Sequence, residues 1–122
     1  IGYGGSGNQI RDVLHIDDLC NLINLQINNF KNIYNKTFTV GGSKTSYTSL
    51  KNLTKICEKV SGNKIKFKRK SKTSIYDIPY YITSNSRVTK FYNWRPRKKF
   101  LDIANDTYKW LLGNKYNLKK YF

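Results

Sequence analysis

Within the first thirty residues the hydrophobic period changes once, and that change constrains the fold more than any other feature. Ile10, Val13, Leu14 and Ile16 mark residues 10–16 as a short strand. From there Leu19, Leu22, Ile23, Ile27 and Phe30 recur at spacings of three and four, which lays an apolar stripe along a helix reaching about residue 29. A strand that runs directly into a helix is the building step of an α/β chain. The junction has the chemistry of a helix start: Asp17 is placed as the N-cap, and Asp18 lies in the first turn near the positive end of the helix dipole.

The rest of the chain repeats the alternation. After a polar turn at residues 32–36, Thr37-Phe38-Thr39-Val40 alternates as a strand that Gly41-Gly42 ends. A second helix, capped by Thr48 or Ser46, carries core positions Leu50, Leu53, Ile56, Cys57 and Val60 and stops at Gly62. Residues 65–68 alternate with their lysines outward, residues 69–74 form a basic loop, and residues 77–83 are extended, with Pro79 placing them at a sheet edge or strand start. A short helix capped by Ser84 or Asn85 reaches Phe91 before Asn93-Trp94-Arg95-Pro96 breaks the chain. The final helix covers residues 98–112, with Phe100, Leu101, Ala104, Thr107, Tyr108 and Leu111 on its buried side. The expectation is one small α/β domain over residues 1–112, built of short strands and three to four helices, then a frayed tail at 113–122.

A chain of 122 residues supports one domain with a modest core. Its 39% hydrophobic and 15% aromatic content favours folding despite a formal net charge of +16. The excess charge lies beyond residue 40, since Arg11, Lys31 and Lys36 are matched by Asp12, Asp17 and Asp18. Such a balance suits anionic partners. Lysine supplies most of it in a chain equally rich in Asn, Ile and Tyr, so a solvated lysine surface is preferred and a nucleic-acid- or polyanion-binding module is the alternative. Cys20 and Cys57 fall at apolar helical positions and suit buried free thiols better than a disulfide or metal site. There is no signal peptide and no apolar run near the ~20 residues of a membrane span, which predicts a cytoplasmic chain without a membrane partner. The chain starts at Ile1 directly before a glycine-rich turn and reads as the tail of something longer.

Few residues carry chemistry. Gly2-Tyr3-Gly4-Gly5-Ser6-Gly7 lacks the preceding strand and following helix of a dinucleotide-binding loop, so a plain flexible loop is expected. Tyr47/Lys51 and Tyr116/Lys120 have the Tyr-x-x-x-Lys spacing, which ten tyrosines among so many lysines produce by chance. His15 has no Cys, Ser or carboxylate constellation around it and is read as structural; helix capping accounts for Asp17 and Asp18 better than a metal pair. Arg11 differs. Held by strand backbone after a flexible loop, its planar guanidinium can grip a phosphate through two hydrogen bonds, or pair with Asp12 or another carboxylate. On chemistry alone the two readings stand level.

The stretch Gly7-Asn8-Gln9-Ile10-Arg11-Asp12-Val13-Leu14-His15-Ile16-Asp17-Asp18-Leu19 resembles the Arg-Asp-aromatic/aliphatic-Tyr/His-Val-x-Asp signature that opens the C-terminal half of extended short-chain dehydrogenase/reductases, the nucleotide-sugar epimerases and dehydratases. Its Val13-Leu14-His15 wording is most similar to the CDP-paratose 2-epimerase (CDP-tyvelose epimerase) branch. Phe38-Thr39-Val40-Gly41-Gly42 with Ser49-Leu50, then Asp77-Ile78-Pro79-Tyr80-Tyr81-Ile82-Thr83-Ser84-Asn85-Ser86, then Asn93-Trp94-Arg95-Pro96 with Thr107-Tyr108-Lys109-Trp110, resemble later blocks of that branch in the same order.

The resemblance implies the C-terminal substrate-binding lobe of an NAD-dependent nucleotide-sugar epimerase, involved in polysaccharide biosynthesis and inactive alone. It implies a nucleotide-diphosphate sugar as ligand, and a homodimer is possible in the complete enzyme. The NAD loop and the catalytic Tyr-x-x-x-Lys would belong to a missing N-terminal Rossmann half, in cis or trans, leaving no catalytic residue, bound cofactor or metal ligand in this chain. Arg11 matches the arginine that contacts the diphosphate, Asp77 the acid of the family's Arg-x-Gly-Asp turn, and Tyr81 a residue beside the sugar pocket; Gln9 borders the same groove. In that turn the family arginine falls on Ser74 and the glycine on Tyr76, so a second phosphate-gripping arginine is lost unless Arg69, Lys70 or Lys72 reaches in. A truncated product without activity is the remaining alternative.

Overall fold

A computed structural model describes residues 2–30, 36–66 and 68–121. Five short strands and five helices follow in the order β1 (Gly2–Gly4), β2 (Ile10–Asp12), α1 (Ile16–Asn28), β3 (Tyr47–Ser49), α2 (Leu50–Ser61), β4 (Lys68–Lys70), β5 (Tyr80–Tyr81), α3 (Ser86–Tyr92), α4 (Phe100–Gly113) and α5 (Lys115–Leu118). The expected α/β class holds, with the single turn of α5 where a tail was expected and α4 running to Gly113.

The central sheet has the order β3-β2-β5. β2 pairs antiparallel with β3, Arg11 opposite Thr48, and parallel with β5, Arg11 opposite Tyr81. Pro79 enters this sheet at its edge, as expected, with its carbonyl accepting from Ile10 N at 2.9 Å. The glycine-rich stretch is not simply a loop. Gly2–Gly4 pairs in parallel with Lys68–Lys70 in a separate two-stranded sheet, so an available partner strand overrides the low strand propensity of glycine. The strand expected at residues 65–68 is therefore displaced to 68–70, and Phe67 lies outside the described residues, as do 31–35 of the expected turn.

Residues 37–40 are the other departure. Phe38 and Val40 turn inward and Thr37 and Thr39 outward, the alternation of a strand, yet no ladder bonds form. Backbone donors and acceptors at these positions find no protein partner among the described residues.

The helix ends agree with their local signals better than the helix starts do. α2 is capped by Ser49 rather than by Thr48 or Ser46, its hydroxyl accepting from Asn52 N, and it stops as expected at Gly62, whose φ of +72° is a left-handed value that favours glycine. α1 begins two residues early because His15, not Asp17, is its cap: His15 Nδ1 accepts from Asp17 N at 3.0 Å. Asp18 is buried and serves a different purpose. Its Oδ2 accepts from Arg97 N and Lys98 N, both at 3.0 Å, and its carbonyl accepts from Trp94 Nε1, which ties the start of α1 to the segment ahead of α4.

Leu22, Val88 and Trp94 form the buried core, with Leu14, Leu25, Phe38, Val40 and Tyr92 packed against it. Burial raises the Tyr92 phenol above its ordinary pKa. Cys20 departs from expectation: it is exposed, because the turn of α1 that buries Leu22 sends Ile16, Cys20, Ile23 and Ile27 outward. Leu101 and Leu111 of α4 are likewise exposed, whereas Phe100, Ala104 and Tyr108 are half-buried.

Candidate functional site

The Arg11 guanidinium is fixed by two bonds. Nη2 donates to Asp77 Oδ1 at 2.9 Å and Nη1 donates to the Ile10 carbonyl at 2.7 Å. The other carboxylate oxygen of Asp77 accepts from Gln9 Nε2 at 2.9 Å. Gln9, Arg11 and Asp77, chosen from two segments more than sixty positions apart, thus form one hydrogen-bonded cluster. Tyr81, the fourth residue, stands beside Arg11 in the β2/β5 register and is exposed.

Local structure accounts for this convergence. Asp77 N donates to the Ser74 carbonyl at 3.0 Å and Tyr76 N to Ser74 Oγ at 3.3 Å, which closes a turn. Pairing of β5 with β2 then brings that turn to the strand carrying Arg11. Ser74 contributes a turn-closing hydroxyl where an arginine is expected from the resemblance, and Tyr76 projects into solvent. Lys72 is exposed and no contact joins it to Arg11 or Asp77; the side chains of Arg69 and Lys70 are outside the described residues.

Asp12 does not pair with Arg11. Its Oδ2 accepts from Ser43 N at 2.7 Å and its Oδ1 from Thr83 Oγ1 at 3.2 Å, so it clamps the loop after Gly42 to the segment after β5. Asn85 completes the clamp: Oδ1 accepts from Gly41 N and Nδ2 donates to the Gly41 carbonyl. The double glycine is required for space. A Cβ on Gly41 would strike Asp12 and Thr83, and one on Gly42 the Val13 and Ser46 carbonyls. These residues lie within the blocks that carry the resemblance, but their clamping roles gave no sequence signal, because a polar residue in a short strand or loop carries no mark of the partner it will meet.

Arg11 also lines a cavity of about 540 Å³ between the sheet, α2 and α4, whose walls include Leu53, Cys57, Val60, Ile103 and Tyr108. Two of the five guanidinium N–H donors are engaged within the protein, and the side chain is 39% exposed. The arrangement can grip an oxyanion beside an apolar cleft. Among the described residues it sets no nucleophile beside a general base, and no group of three His, Cys, Asp or Glu is placed to hold a metal. His15 sits elsewhere, with Nε2 3.4 Å from Asp106 Oδ2.

No family model matches the chain. A CDP-paratose 2-epimerase of Salmonella typhi is 26% identical over 106 residues, which cover 87% of this chain and 31% of that protein. Among solved structures, a UDP-glucose 4-epimerase superposes with a TM-score of 0.81 at 18% identity, covering 94% of this chain and 36% of the other. The UDP-glucuronic acid 4-epimerase of Bacillus cereus, in complex with UDP-glucuronic acid and NAD, gives 0.76 at 20% identity, covering 92% and 35%. The chain spans about a third of the length of these relatives. It is similar in sequence to the first, and its fold is that of the C-terminal part of NAD-dependent epimerases and dehydratases of the extended short-chain dehydrogenase/reductase type. No helix among the described residues is long and apolar enough to cross a membrane.

Proposed function

We propose that this chain is the substrate-binding part of an NAD-dependent nucleotide-sugar epimerase of the CDP-paratose 2-epimerase kind, and that it holds the diphosphate of the substrate through Arg11. The observation that carries this reading is the Gln9–Asp77–Arg11 cluster, whose Arg11 is both held by Asp77 and part of the lining of the apolar cleft. Asp77 fixes the guanidinium from one side and Gln9 fixes Asp77, so the side-chain entropy is lost before the ligand arrives. The exposed edge of the guanidinium is the part that meets phosphate oxygens, and Tyr81 borders the sugar.

The glycine-rich stretch is no cradle for NAD. It forms β1 and a turn leading to a strand, whereas a dinucleotide loop needs a helix N-terminus after the glycines. Hydride chemistry would come from NAD held by a separate NAD-binding part, and this chain's own residues bind and orient. Residues 37–40, which find no backbone partner among the described residues, and the exposed apolar side of α1 support the existence of such a partner.

The charge balance limits affinity. Arg11 and Asp77 nearly cancel, and Ser74 supplies no second cation. Calorimetric titration of the chain with CDP and UDP tests the assignment. Arg11→Ala should weaken nucleoside diphosphate binding about tenfold to a hundredfold, the loss of a hydrogen bond to a charged group. Undiminished binding by that variant would sink the assignment.

A further inference from the structure

A second cavity, of about 590 Å³, lies on the other face of the central sheet. Tyr80 lines it and pairs with Ile10, whereas Arg11, one residue along β2, lines the apolar cleft; neighbouring strand residues point to opposite faces. The two lining sets share no residue. The charged groups of this second lining are Lys44, Lys90 and Arg95, with no carboxylate, and six serine and threonine hydroxyls stand among them.

Several features separate this cavity from the general lysine surface. Its walls are set in advance: Asp12 holds Ser43 N on one side and Thr83 Oγ1 on the other, and Asn85 grips both backbone groups of Gly41. Thr83 and Asn85 are buried, so the floor is part of the folded framework. Neutral hydroxyl donors accompany the cations, and one cation is a guanidinium suited to two-point recognition of a phosphoryl group. The lysines of α2, by contrast, project from a helix face: Lys51, Lys55 and Lys59 are exposed and line neither cavity. The volume suits a small molecule, and the cations converge on one concavity rather than tracking along a strand-like groove.

We propose that this cavity binds the phosphoryl group of a small phosphorylated metabolite, at a site independent of Arg11 and of the epimerase reading. Lys44, Lys90 and Arg95 neutralise the anion, and the hydroxyls of Ser43 and Ser86 fix its orientation.

Amide chemical shifts of the chain, followed by NMR during titration with inorganic pyrophosphate at constant ionic strength, test this site. Saturable shifts are expected at residues 43–45 and 82–86. The double variant Lys90→Glu, Arg95→Glu should weaken them by about tenfold or more, as loss of charge-assisted contacts requires. Both positions are exposed, so folding is retained. Lys55→Glu with Lys59→Glu applies the same change of net charge on α2 and should leave the shifts at residues 43–45 and 82–86 intact; Arg11→Ala should remove pyrophosphate shifts around Arg11 alone and leave those at residues 43–45 and 82–86. Shifts scattered over lysine amides, equal weakening by the two double variants, loss of the shifts at residues 43–45 and 82–86 with Arg11→Ala, or no saturation at millimolar pyrophosphate would each overturn the proposal. Tighter binding of a single-stranded oligonucleotide through the same amides would overturn it in favour of an extended polyanion.

Discussion

Asp18 is 3% exposed and spans 79 and 80 sequence positions to the amides of Arg97 and Lys98. Removing its carboxylate leaves both amides without an acceptor in a region closed by Trp94. Asp18→Ala should therefore lower the unfolding free energy by about 2–3 kcal/mol, from a penalty of about 1–3 kcal/mol per unsatisfied buried group. Urea denaturation measures this, and a loss below about 1 kcal/mol would show that water replaces the carboxylate. The sequence announces that an acid at this point starts a helix. It does not announce that His15 takes the capping role and frees Asp18 for a distant one, since the partner amides carry no side-chain signature. Arg11 was legible to the same extent. Its chemistry allowed a carboxylate or a phosphate, and the fold supplies the carboxylate as Asp77, because Asp12 is engaged with Ser43 and Thr83. Resemblance brought Gln9, Asp77 and Tyr81 to the same site; spacing along the chain could not.

Helices and strands differ in how far local sequence determines them. α2 falls at Leu50–Ser61 because its cap, its apolar period and its terminal glycine lie within the helix or one residue beyond it. Strands depend on what pairs with them. Glycines become β1 when Lys68–Lys70 lies alongside, and residues 37–40 keep strand alternation without a ladder. α4 is fixed near its start by Lys98, whose Nζ donates to Asp106 Oδ2 at 2.8 Å. The Lys98 bond holds the Asp106 carboxyl below its ordinary pKa, against an opposing effect of desolvation, and the same bond raises Lys98 above its own. A carboxyl whose folded pKa is lowered adds stability above its unfolded pKa and loses it as pH falls through the folded value; a raised lysine adds stability below its unfolded pKa and loses it as pH rises through the folded value. Asp106→Asn should therefore melt below the wild type at neutral pH, and the difference in Tm should close in the acid range and again at strongly alkaline pH. The pair is solvated, so the neutral-pH gap is small. A gap that widens on acidification would contradict this linkage.

At the scale of the molecule, the core is small beside the apolar surface left uncovered. Leu22 of α1 packs inward, yet Ile16, Cys20, Ile23 and Ile27 run along its outer side at spacings of four and three and Phe30 follows just beyond its end, with Ile16, Ile27 and Phe30 each more than 60% exposed. That is the spacing of a helix seam that meets a partner, and isolated exposed residues would not produce it. Burying one such side chain is worth about 1.5–3 kcal/mol. In the isolated chain the seam of one copy is expected to meet that of another, opposed by a net charge of +16. Salt decides the balance: raising ionic strength from about 0.01 M to 0.15 M shortens the Debye length from about 30 Å to about 8 Å, which removes repulsion and leaves the apolar term. Sedimentation should show self-association that strengthens with salt and is lost in Ile23→Lys with Ile27→Lys. A polyanion-binding module behaves in the opposite sense, because its partner is held by released counterions and weakens as salt rises. Salt-strengthened self-association in nucleic-acid-free protein, with no salt-sensitive oligonucleotide binding, assigns α1 to a protein interface and the lysines to solvent; a monomer at every salt concentration removes the interface.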